Sequence, residues 1–183
     1  TNTTALALTA ESGGGEYKGT AYYLNNVKAT LNGEDLKDAN IEYKVGDGEW
    51  TKEAPSATNV SDSLKNNISV RVSLEGYQTV TINDLSIEVT PKAVTVKAND
   101  ASKMYGENDP KFTATVTGTL NEDKIEYKVT RPGAGTDEAV KTYEDAIIAA
   151  GDKEQGNYTV TYEPGDFEIK AQSIDPSDPS YLN

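Results

Sequence analysis

The chain contains neither cysteine nor histidine. Without cysteine there are no disulfide staples, no thiol nucleophiles and no thiolate zinc sites. Without histidine the commonest general base, the commonest metal-ligating side chain and the usual neutral-pH switch are missing, and a Ser-His-Asp triad cannot be assembled. Basic charge is scarce: 17 Lys+Arg stand against 30 Asp+Glu, for a formal net charge of -13. That balance disfavours nucleic-acid phosphates and anionic bilayers as partners. Its plainest role is solubility, since strong like charge keeps repeated modules apart. No apolar run approaches the roughly 18 residues of a membrane-spanning helix. Neither a signal peptide nor a cell-wall sorting signal is legible at the ends, so the chain reads as a piece of a longer protein.

What is present is a strand-forming palette. Tyr (11) far outnumbers Phe (2) and Trp (1), and β-branched residues are frequent. Apolar and polar residues alternate at Ile68-Val70-Val72, Val80-Ile82, Val94-Val96, Phe112-Ala114-Val116, Ile125-Tyr127-Val129, Tyr158-Val160-Tyr162 and Phe167-Ile169. Period-2 patterning means strands with one buried face, and many short strands between turns mean a sandwich or barrel. Asn32-Gly33 and Asp47-Gly48 predict tight turns in the left-handed region. Glu163 to Asp166 predicts a further turn, and residues 1–15 predict an edge strand ending in Gly13-Gly14-Gly15. Residues 137–150 carry apolar spacing that suits a short helix, but the surrounding pattern favours a strand over 142–149.

The sequence also repeats itself. Asn40-Ile41-Glu42-Tyr43-Lys44-Val45 returns as Lys124-Ile125-Glu126-Tyr127-Lys128-Val129. The stretch from Gly76 to Thr81 returns from Gly156 to Thr161, and Leu85 to Val89 corresponds to Asp166 to Lys170. A period of about 80 residues is one small domain, not a solenoid turn. The boundary falls at the proline-containing stretch 89–94, and so short a linker predicts an elongated, semi-rigid pair. The predicted organisation is one domain over 1–91, a second over 92–171, and a linker or disordered tail over 172–183, rich in Asp, Ser and Pro.

The stretch from Lys103 to Thr113 breaks one strand at Tyr105-Gly106, turns through Asn108-Asp109-Pro110 and starts the next. Together with Ala93 to Val96, Ile125 to Arg131, Val140 to Tyr143, Gln155 to Tyr162 and Pro164 to Ile169, it resembles an MBG domain of the YGX type. Lys141 departs from the glycine expected before Thr142-Tyr143, and residues 132–138 run longer than usual. Residues 16–91 are similar to the bacterial Ig-like repeats that precede such domains, through Tyr17 to Thr20, Ile41 to Trp50 and Ala54-Pro55. The resemblance implies an all-β chain of two tandem antiparallel Ig-like β-sandwich domains. It also implies an extracellular place, on the cell surface or associated with the cell wall of a bacterium, and no catalytic residues or cofactor. The implied role is a stalk or spacer in an adhesin-like protein whose partners are neighbouring repeat domains. The alternatives are an interaction module for glycans or glycoproteins and an accessory region of a secreted enzyme.

Candidate sites are few. Trp50, Tyr22 and Tyr23 are the expected ligand-contact residues, because stiff amphipathic rings make anchors for sugars. Trp50 is equally expected to pack across Ile41-Tyr43-Val45, and adjacent Tyr22 and Tyr23 must point to opposite faces of a strand. Acidic turns at 47–49, 99–100 and 121–123 offer oxygen ligands to calcium but lack the spacing of an EF-hand loop, so ordinary turn chemistry accounts for them. Adjacent acids such as Glu34-Asp35 and Glu144-Asp145 follow from the acidic composition and are not read as a glycosidase pair. Lys44 and Lys128, set opposite the apolar phase of their strands, are not expected to form an intramolecular amide crosslink. The sequons at Asn59, Asn67 and Asn157 are assigned no role.

Overall fold

The computed structural model describes residues 5–174. It is all-β apart from a single 3-10 turn at Val60–Asp62. The described residues form two compact units: residues 5–92 with 156–158, and residues 93–155 with 159–174. The tail expected over 172–183 lies outside the described residues from position 175 onward.

The first unit contains β1 (Leu6–Glu11), β2 (Gly13–Glu16), β3 (Tyr22–Tyr23), β4 (Asn25–Leu31), β5 (Glu34–Asp35), β6 (Asn40–Val45), β7 (Ser56–Ala57), β8 (Leu64–Ser73) and β9 (Val80–Thr90). One sheet has the order β1-β4-β5 and the other β2-β9-β8-β6, with β3 and β7 as a short separate pair. Asn32 and Gly33 both sit left-handed (φ 54° and 83°) and join β4 to β5, as a two-residue hairpin requires. Leu6, Leu8 and Ala29 of the first sheet form one buried cluster with Val70 and Val72 of the second, which makes this unit a sandwich. The glycine run explains itself here. A side chain on Gly13 would strike the Tyr23 carbonyl at 1.9 Å, and one on Gly14 (φ 114°) would strike that of Glu88 at 2.0 Å. Only bare backbone fits between the neighbouring chains.

The second unit contains β10 (Lys92–Ala98), β11 (Ala101–Met104), β12 (Ala114–Thr117), β13 (Lys128–Thr130), β14 (Lys141–Ala150), β15 (Glu154–Gln155), β16 (Tyr158–Glu163) and β17 (Gly165–Lys170). Its sheets have the orders β12-β10-β16-β15 and β11-β17-β14-β13. Val94, Val96 and Val160 of one sheet and Ile147, Phe167 and Ile169 of the other are almost wholly buried. Residues 141–150 are a strand, not a helix, because β14 pairs with both β13 and β17.

The repeat persists as architecture. In each unit the last strand takes a short strand in parallel along its edge, β2 on β9 and β11 on β17. In each unit the long strand next to it bulges at a left-handed residue, Asn66 (φ 52°) in β8 and Asp145 (φ 53°) in β14. The N–H of Asn66 donates to Ser86 Oγ at 2.8 Å, and that of Asp145 donates to Asp166 Oδ1 at 2.9 Å. One link further on, the N–H of Ser86 donates to Ser12 Oγ at 2.9 Å and that of Asp166 to Asp100 Oδ1 at 2.8 Å.

Several boundaries differ from the sequence reading. Val80–Thr90 is one strand, whereas Pro164 divides the corresponding run into β16 and β17. At the turn expected from Asp47-Gly48, the left-handed residue is Gly46 (φ 56°). The strand expected over 112–116 starts at Ala114, and the one expected over 125–129 starts at Lys128.

Candidate functional site

The densest polar arrangement lies under the turn that follows β11. Ala101 and Lys103 occupy the same phase of this strand, so the lysine points inward. Tyr105 N–H donates to the Lys170 carbonyl at 2.8 Å, and Gly106 (φ 88°) closes the turn, with Glu107 N–H donating to the Met104 carbonyl at 3.1 Å. The chain then returns Asp109 to Lys103. Arg131 enters from the end of β13, and Glu138 from the loop before β14.

The result is a four-charge cluster. Lys103 Nζ lies 2.9 Å from Asp109 Oδ1 and 2.5 Å from Glu138 Oε1. Arg131 grips Asp109 through Nε at 2.9 Å and Nη2 at 3.0 Å, donates through Nη1 to the Asp137 carbonyl at 2.8 Å, and also pairs with Glu138. A forked grip of this kind fixes direction as well as charge. The side chains of Arg131 and Lys103 are only 1% and 5% exposed. The guanidinium lies 4.5 Å above the Phe167 ring, which Phe112 meets edge-on at 5.6 Å. Two buried cations are thus balanced by two carboxylates that keep part of their surface in water.

Protonation follows from these contacts. The bonds from Arg131 hold the Asp109 carboxyl below its ordinary range, and those from Lys103 do the same for Glu138. Lys103 is raised by its bond to Glu138, and Arg131 by its bond to Asp109. Every member is therefore held in its charged form. Amide formation between Lys103 and Asp109 would need a neutral amine and a protonated acid, the opposite of what the site favours. The cluster can pin three segments together; it offers no poised base or nucleophile.

Sequence reasoning missed this site, having tested only Lys44 and Lys128 as buried lysines. Lys44 lies 5.2 Å from the Trp50 ring, and Lys128 is exposed. The available signal was a lysine on the inward phase of a strand, followed by an aspartate in the next turn.

The expected ligand-contact residues fall in the first unit. Trp50 is half-buried and lies under Arg71, whose guanidinium is 4.2 Å from the ring and paired with Glu42 at 2.8 Å. Its cationic neighbours belong to the Glu42-Lys44 phase, so it does not pack across Ile41-Tyr43-Val45. Tyr22 is half-buried, donates its hydroxyl to the Glu16 carbonyl at 2.5 Å and carries Lys18 at 4.2 Å over its ring. Tyr23 points to the other face and is 53% exposed. Both tyrosines pair with β7, and no ring contact joins them to Trp50 among the described residues. Asp100, from one of the acidic turns, caps the Asp166 N–H. Among the described residues, no group of three or more Asp and Glu side chains converges on a metal position.

Residues 94–168 match the family model described as MBG domain (YGX type). The matched region holds Lys103, Asp109, Arg131 and Glu138, so the buried cluster lies within the MBG region. No curated protein matches the chain. Among solved structures, a similar chain is described as fibronectin(III)-like modules of Clostridium thermocellum CbhA. It is 15% identical, with 94% of this chain and 100% of that chain covered, at a TM-score of 0.28.

Proposed function

We propose that this chain is a non-catalytic repeat region of a bacterial cell-surface protein, and that its two units act as a stalk or spacer. The observation that carries the reading is the MBG match over residues 94–168. It agrees with the chemistry of the matched region, whose strongest charges are spent on one another under the turn after β11. Neighbouring repeat domains of the same parent chain are the partners this role needs. A binding screen of the whole chain on immobilised glycans, mucins and matrix proteins, with calcium and with chelator, tests it. No saturable binding is expected. A saturable signal abolished by Trp50→Ala or Tyr23→Ala would replace the spacer with a glycan- or glycoprotein-binding module.

A further inference from the structure

The second unit leaves one side of its sandwich open. β12 is the edge of one sheet and β13 the edge of the other, each paired on a single side. Between them and the residues leading into them runs a groove of about 830 Å³. Phe112, Ala114 and Val129 are half-buried in its walls, and Tyr127 stands 36% exposed. Its only charged lining residues are Lys111 and Lys128, in a chain whose net charge is -13.

The backbone here has strand character without a full set of partners. In the first unit, Asn40–Val45 forms a six-residue ladder with β8, from Asn40 opposite Ser73 to Val45 opposite Ile68. Its sequence twin in the second unit pairs only from Lys128, opposite Ala150. Continued at that register, Tyr127 would face Gly151, just past the end of β14. The Gln155 side chain serves the Glu126 backbone in place of a strand, accepting from its N–H and donating to its carbonyl, each at 2.9 Å. On the groove side, every second N–H and C=O of an edge strand points outward and can template another strand.

We propose that this groove receives an extended acidic peptide, added to the free edge of β13 with its carboxylates against Lys111 and Lys128. Edge lysines ordinarily keep a second copy of the same edge away, because self-pairing sets like charges against each other. Against an acidic strand the same two charges attract, while alternate apolar side chains of the peptide reach Phe112 and Val129. This docking role is additional to the spacer and does not rest on it.

The test uses the whole chain and a labelled alternating Glu-Val peptide about ten residues long, the length of a long strand. Saturable anisotropy is expected, weakening as salt rises. Amide shifts should be confined to residues 112–114 and 127–130. Lys111→Glu with Lys128→Glu should weaken binding about tenfold. Both lysines are exposed, so an unchanged melting curve will show that the variant folds. Absence of saturation, equal binding of a Lys-Val peptide, insensitivity to the charge reversal or shifts mapping elsewhere would overturn the proposal. So would dimerisation of the chain through this edge, which would make the occupant a second copy.

Discussion

The two units build the same bulge from different chemistry. In the first, Ser12, Ser86 and Asn66 occupy the three positions; in the second, Asp100, Asp166 and Asp145 do. The hydrogen-bond relay is the same in length and direction. What the frame demands is a short side-chain acceptor beside a left-handed residue, and Ser, Asn and Asp all supply one. Charge is therefore a free variable at these positions, and the second unit has taken the acidic option. Elsewhere it has done the reverse, burying two cations and balancing them with two partly exposed carboxylates. The first unit's nearest counterpart is a half-exposed pair, Arg71 with Glu42, beside Trp50.

Trp50 is the only tryptophan and lies in the first unit, so its fluorescence follows that unit while circular dichroism follows both. The largest expected effect is Arg131→Met. It leaves Asp109 and Glu138 against Lys103 alone, at a cost of about 2–3 kcal/mol, since breaking a buried pair strands its partner. Denaturant unfolding should show the second unit's transition shifted and the Trp50 transition unmoved; movement of both would deny the units independent cores.

Acid should act next, and in the same direction. Asp109 and Glu138 have folded pKa values below their ordinary 3.8 and 4.5. Their stabilisation is complete above those ordinary values and drains away as pH falls through the lowered ones. Calorimetry at pH 7 and pH 2 should find the second unit losing more than the first. In the first, Asp62 is held low by the N–H groups of Asn59 and Thr58, on an exposed side chain that water screens.

A smaller effect separates acceptor from charge. Asp166→Val removes the partner of the Asp145 N–H and should cost about 1 kcal/mol, while Asp166→Ser, copying the first unit, should cost little. Equal losses in thermal melts would mean that the carboxylate, not the acceptor, sustains the bulge. Smallest of all, Arg71→Met should cost about 0.5–1 kcal/mol, read from the Trp50 transition, because that pair is partly solvated.

Much of this fold was legible. Alternation located the strands because each has one buried face, as in Ile68-Val70-Val72. Length was harder to read. Identical Ile-Glu-Tyr-Lys-Val segments are paired at all five residues in one unit and only at the last two in the other, because pairing depends on how far the opposite strand extends. The candidate site was the least legible part. Lys103, Asp109, Arg131 and Glu138 look like surface residues one at a time. The burial of Lys103 and Arg131 and their pairing with the two carboxylates follow from three segments meeting over Phe167, which no local pattern records. The segments that carry the family resemblance nonetheless contain three of the four, Lys103, Asp109 and Arg131.

The parallel pairing of β2 with β9 and of β11 with β17 bears on how each unit would resist traction. In each unit the second strand and the leaving strand lie side by side and point the same way. Drawing the two ends of a unit apart slides one along the other, so the bonds between them are loaded in shear together and do not peel one at a time. Each unit thus carries a mechanical clamp between its second strand and the strand by which the chain leaves it.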